Sequence, residues 1–169
     1  MNNKQIQEIM NHFILSPQQF RGVFAADTLP AIEKNCGYIC NTDTINLPGK
    51  HWISFYVPKK GPIEFFDSYG FIPYIYNFYD FIGEHYFIYN NVQLQSLFSN
   101  VCGQYCIFYL LARFSGIPYI DFLNIFDNHN NDYYVNEFIN DMFDTTMKVY
   151  DYDFIGKQIS TMFEPNNMF

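Results

Sequence analysis

The sequence predicts one α+β domain spanning residues 1–169, and three observations carry the prediction. Residues 51–57 and 63–66 are short runs rich in β-branched and aromatic side chains. Pro58-Lys59-Lys60-Gly61-Pro62 between them is turn chemistry, so the pair reads as a hairpin. Residues 101–114 form a longer apolar run closed by Ser115-Gly116-Ile117-Pro118, which is the punctuation of a helix end. Ile6, Ile9, Met10, Phe13 and Ile14 make a helical stripe over residues 3–15. A composition that is 49% hydrophobic and 21% aromatic excludes a disordered chain.

The elements follow in order. Ser16-Pro17 closes the first helix or starts a new turn. Phe20 to Pro30, with Gly22 and Pro30, reads as loop, and Cys36 to Asn41 as a short strand. Leu47-Pro48-Gly49-Lys50 is a turn before the hairpin. Residues 73–83 read as a helix, with Pro73 at its start and Gly83 at its end. Phe87 to Gln95 is a strand candidate, and Ser99-Asn100 supply N-cap chemistry for the helix that follows. Helices are expected near 119–127 and 133–145, around an Asn/Asp-rich turn at 127–132. No internal repeat or linker is visible.

Composition narrows the function. No apolar run reaches the roughly 20 residues needed to span a bilayer. The first ten residues lack the basic and apolar regions of a secretory signal. The net charge of -8 repels phosphate and argues against broad DNA binding. The four cysteines, at 36, 40, 102 and 106, form two C-x3-C pairs. Zinc pairs usually have other spacings on turns, so free thiols in a reducing compartment, with neither metal nor cofactor, are expected.

Thiol chemistry is the more specific reading. Cys102 stands where a helix begins, and the partial positive charge of a helix N-terminus favours a thiolate. Gly103 removes bulk beside it. Cys106, one turn into the helix, reads as core. His51 opens the first hairpin strand and Asp67 follows the second. Antiparallel pairing brings those two ends to one sheet edge, so a base and a carboxylate meet despite their separation in sequence. Glu64 is the rival acid, but strand alternation places 64 and 67 on opposite faces. The other histidines, His12, His85 and His129, have no such partner. Gln95 is the candidate oxyanion donor, with Gln93 as its rival on the same face. Trp52 reads equally as a core anchor and as a wall of a substrate cleft.

His51-Trp52, the hairpin to Phe66-Asp67-Ser68-Tyr69-Gly70, and Gln95-x6-Cys102-Gly103-x2-Cys106 together resemble the adenovirus protease (adenain) family. That family is related to the Ulp1-type SUMO proteases and to the maturation proteases of virophages and Polinton-like viruses. Phe20-Arg-Gly22-Val-Phe24 is similar to the loop preceding the catalytic hairpin, and the resemblance covers roughly residues 18–115.

It implies a papain-like fold with permuted order, a mixed central sheet packed against the nucleophile helix, and peptide-bond hydrolysis. Cys102 is implied as nucleophile, His51 as base, Asp67 as acid and Gln95 as oxyanion donor, with Trp52 and Gly103 on the substrate side. The implied function is cleavage of viral capsid or core precursors, often beside Gly, in the virion or at the assembly site in the host cell. The alternatives are a protease of ubiquitin-like modifiers and a catalytically silent virion structural protein. Two departures bear on activation. The acidic charge argues against a DNA activator, and no cysteine lies between Asp67 and Gln95 to link an activating peptide.

Overall fold

A computed structural model describes residues 1–13, 19–126, 130–144 and 152–162. Helix α1 (Asn3–Phe13) is followed by strands β1 (Phe20–Phe24), β2 (Cys36–Asn41), β3 (Trp52–Val57) and β4 (Ile63–Phe66). A 3₁₀ turn (Pro73–Tyr76), a short helix α2 (Tyr79–Ile82) and strand β5 (Phe87–Tyr89) come next. Four helices complete the described chain: α3 (Cys102–Phe114), α4 (Tyr119–Asn124), α5 (Asn131–Asp144) and α6 (Tyr152–Met162).

The strands form one mixed sheet in the order β1-β2-β3-β4-β5. β2, β3 and β4 are antiparallel neighbours, with Ser54 opposite Phe66 in the expected hairpin. The two edge strands, β1 and β5, run parallel to β2 and β4.

Strand alternation divides the core into two layers. Ile39, Trp52 and Phe66 face the helical layer of α1, α3, α5 and α6. Tyr38, Ile53, Phe55 and Phe65 face the other side, where Phe78 and Ile82 cover them. α3 crosses the sheet on β3 and is buried nearly all round, which is why its sequence is apolar without a polar stripe. Its approach is tight: a Cβ on Gly37 of β2 would lie 2.8 Å from both Leu110 and Phe114. Phe66 stacks on Tyr109 at 4.6 Å, and Tyr109 and Arg113 both bind Glu64. The rival carboxylate therefore serves the sheet–helix junction.

Several expectations need correction. Phe20–Phe24 is a strand, because pairing with β2 overrides the loop signal of Gly22, where the register shifts at a bulge. The helix expected at 73–83 breaks in two at Asn77, whose left-handed φ of 61° ends the 3₁₀ turn. Strand β5 stops at Tyr89, since Asn90 turns inward to bind the segment after β4. The N-cap of α3 is Val101, with no side-chain cap, so Ser99-Asn100 do not play that role. α5 starts at Asn131, and α4 ends at Asn124. Helix α6 has no counterpart in the sequence reading. Ile14, Ser16-Pro17 and residues 127–129 of the expected turn lie outside the described residues.

No helix among the described residues is long and apolar enough to cross a membrane. None of the four cysteines is in a disulfide, and no three metal-ligating side chains cluster among the described residues.

Candidate active site

The hairpin positions a base and an acid. His51 immediately precedes β3 and Asp67 immediately follows β4, so both stand at the same sheet edge. His51 Nε2 lies 2.6 Å from Asp67 Oδ1, with His51 7% and Asp67 0% exposed. Nε2 is thereby committed, and Nδ1 is left for the side chain of Cys102, whose interaction with the imidazole shifts the pKa of both groups. Cys102 is the first residue of α3 and is half-buried.

Asp67 is held from every side. Oδ1 also accepts the Tyr69 N–H at 2.9 Å. Oδ2 accepts the Tyr76 hydroxyl at 2.9 Å and the Phe71 N–H at 3.3 Å. Asn90 pins its backbone, accepting the Asp67 N–H at 2.9 Å and donating to the Asp67 carbonyl. Gly70 closes this turn with φ of 76°, and a Cβ there would meet the Val92 backbone at 2.7 Å. The Tyr69 ring stacks on His51 at 4.7 Å and 25°.

These contacts set the proton distribution. Burial pulls the His51 pKa down. Its hydrogen bonds to Asp67 and Cys102, and the negative charges there, outweigh that pull and raise it to about 9. Burial pushes the Cys102 thiol up, but the hydrogen bond and charge of His51 bring it below its ordinary 9.0, helped by the N–H groups of Trp52 and Gly103. The other three thiols move the opposite way, with burial the leading cause. Cys102 alone combines a lowered pKa with partial exposure, the condition for a reactive thiol.

Comparison with known protein families and with curated proteins found no match.

Gln95 is almost fully buried, in the irregular segment between β5 and α3. Its Oε1 accepts from Ser68 Oγ at 2.6 Å. Its Nε2 donates to the Ser99 carbonyl at 3.0 Å and reaches Ser99 Oγ at 3.2 Å and the Tyr69 hydroxyl at 3.4 Å. The rival Gln93 is exposed and donates to the Gln95 carbonyl at 2.8 Å, so it supports the loop. Asp132 ties the same loop to α5 through the Ser96 N–H and to α3 through Tyr105.

Trp52 is buried among the helices, and its indole N–H donates to the Met1 carbonyl at 3.1 Å. The room left by Gly103 is filled from the N-terminal segment: a Cβ there would lie 3.3 Å from Met1 Cβ and 3.4 Å from Ile6 Cδ1. His12 and His85 are exposed, and His129 lies outside the described residues. Sequence reasoning missed Tyr76, Asn90, Ser68 and the stacked Tyr69. Ser68 and Tyr69 adjoin Asp67, but nothing local marks Tyr76 among its aromatic neighbours or Asn90 beside Asn91.

Proposed function

We propose that the protein is a cysteine endopeptidase that processes viral capsid or core precursors during virion maturation, at sites containing Gly. The observation that carries the hydrolase reading is the position of His51 between Asp67 and Cys102, with the imidazole pKa raised and the thiol pKa lowered. The viral role rests on the resemblance of His51-Trp52, Asp67, Gln95 and Cys102-Gly103 to the adenain family.

The steps follow from the proton positions. The Cys102 thiolate attacks the scissile carbonyl carbon, and the carbonyl electron pair moves to oxygen. The Cys102 N–H at the start of α3 and the Gln95 amide stabilise that oxyanion. Collapse of the intermediate breaks the C–N bond, and the His51 imidazolium gives its proton to the departing amine. A thioester remains. His51, now neutral, takes a proton from water, whose oxygen attacks the thioester, releasing the acid and regenerating the thiolate–imidazolium pair. Asp67 keeps the imidazole oriented and stabilises its charge.

Co-expression of the wild-type chain and Cys102→Ala with the viral capsid precursors tests this reading. Cleavage is expected with wild type only, and cleavage that persists in Cys102→Ala sinks it. Asp at the acid position is usual in the SUMO-protease branch, so ubiquitin and SUMO carrying C-terminal electrophiles belong in the same experiment. Their rapid capture by Cys102, without precursor cleavage, would move the substrate to ubiquitin-like modifiers.

A further inference from the structure

We propose that Ser68 is a positioning residue that, with the Ser99 carbonyl, clamps the Gln95 amide with its nitrogen end toward the reaction, an inference that rests on the thiol-hydrolase reading above. A glutamine amide has two ends of nearly equal shape, an acceptor oxygen and a donor nitrogen. Only the nitrogen end stabilises an oxyanion, and the oxygen end repels it.

The hydrogen bonds determine the orientation. The Ser99 carbonyl can only accept, so the amide end 3.0 Å from it is Nε2. The opposite end is therefore Oε1, which takes the Ser68 hydroxyl proton at 2.6 Å. Ser68 is fully buried and Gln95 is 1% exposed, so water is a poor substitute for that donor. Nε2 carries two protons. One is committed to Ser99. The other lies between Ser99 Oγ at 3.2 Å and the Tyr69 hydroxyl at 3.4 Å, both at or beyond the long end of the usual hydrogen-bond range. Tyr69 stacks on His51, so the loosely held proton points to the wall of the catalytic centre. It is the one available to an oxyanion.

Ser68 also follows Asp67 directly, and its backbone carbonyl accepts the N–H groups of Leu94 and Gln95 at 2.9 and 3.0 Å. Backbone bonds therefore dock the Gln95 loop on the Asp67 turn whether or not the hydroxyl is present. Ser68→Ala removes one of the two clamps on the amide, which can then swing about its Ser99 contact, and keeps the docking.

Two reactions at Cys102 separate orientation from everything else. Iodoacetamide alkylation displaces iodide at a saturated carbon and forms no oxyanion. Acylation by 4-nitrophenyl acetate passes through one before 4-nitrophenolate leaves. Loss of a direct oxyanion donor slows such steps by about 10²–10³, and an indirect loss of orientation is expected to slow acylation by about tenfold. Alkylation of Ser68→Ala should keep the wild-type rate and pH profile. In a Gln95→Ala background, Ser68→Ala should add nothing to the acylation defect. Acylation of Ser68→Ala at the wild-type rate overturns the proposal, as does an equal slowing of both reactions, which would mean a merely structural role. Wild-type protein whose Cys102 reacts no faster than Cys36 with either reagent overturns the hydrolase reading itself, and this proposal with it.

Discussion

Replacing Asp67 by Asn should reverse the proton distribution between His51 and Cys102. His51 is lifted from 6.5 to about 9 because its partners outweigh burial, and the thiol sits below 9.0 because of His51. Imidazolium and thiolate therefore coexist from the lowered value of the thiol up to about 9. The asparagine amide preserves the shape and still accepts from Nε2–H, but it carries no charge. Burial, the largest influence on both groups, then pulls the imidazole down and pushes the thiol up. With the thiol back at its ordinary 9.0, about 1% is ionised at pH 7, so the alkylation rate there stands at about one-hundredth of its plateau value.

The assay is the iodoacetamide rate at Cys102 as a function of pH, read by peptide mass. Wild type should reach its plateau at a lower pH than Asp67→Asn, whose rate should climb about tenfold per pH unit to about pH 9. Stability carries the matching sign. A raised folded pKa means that His51 protonation stabilises the fold fully below 6.5, and that this contribution is lost as pH rises to about 9. The lowered thiol works in the opposite direction over the same interval, so the test belongs in a Cys102→Ala background, where the Tm difference between Asp67 and Asp67→Asn should narrow as pH rises above 6.5. An Asp67→Asn protein whose alkylation rate at pH 7 is within about threefold of its own plateau, where an ordinary thiol stands about 100-fold below it, refutes the reasoning.

Two further substitutions test the scaffold. Glu64→Ala leaves the largely buried Arg113 guanidinium without its carboxylate, so the denaturation midpoint should fall by the equivalent of about 3–5 kcal/mol. A loss below about 1 kcal/mol, the range of an exposed ion pair, would contradict the buried bidentate geometry. Gly70→Ala puts a Cβ into the Val92 backbone at a left-handed φ, and should destabilise by more than about 1 kcal/mol. It should also slow Cys102 alkylation, since the Gly70 N–H closes the turn on the Asp67 carbonyl at 2.8 Å. An unchanged Tm and alkylation rate would show that the turn tolerates a side chain.

The parts of the site legible in sequence are those set by local periodicity and turns. Composition marks β3, the Pro58–Pro62 turn and β4, so the meeting of His51 and Asp67 follows from antiparallel geometry alone. The apolar run of α3 likewise puts Cys102 at a helix start. β1 is hidden because a strand with a bulged glycine gains its stability from pairing with β2, a partner its own residues do not announce. The aromatic segment after Gly70 has the composition of a helix, yet Asn77 breaks it and Tyr76 turns to Asp67. Asn90 and Ser68 act across long sequence separations, 23 residues from Asp67 and 27 from Gln95. Their roles come from where distant loops meet, which no short window of sequence contains.

The thiolate-favouring environment of Cys102 is built from segments that the chain brings together only on folding: the hairpin ends at 51 and 67 and the start of α3. The other three cysteines are buried, with pKa values raised by that burial. Loss of tertiary structure therefore pulls the four thiols in opposite directions, quieting Cys102 at neutral pH while uncovering Cys36, Cys40 and Cys106. The molecule carries its own reporter of integrity. The ratio of labelling at position 102 to labelling at each of the other three falls toward parity as the fold is lost, without any probe having been introduced.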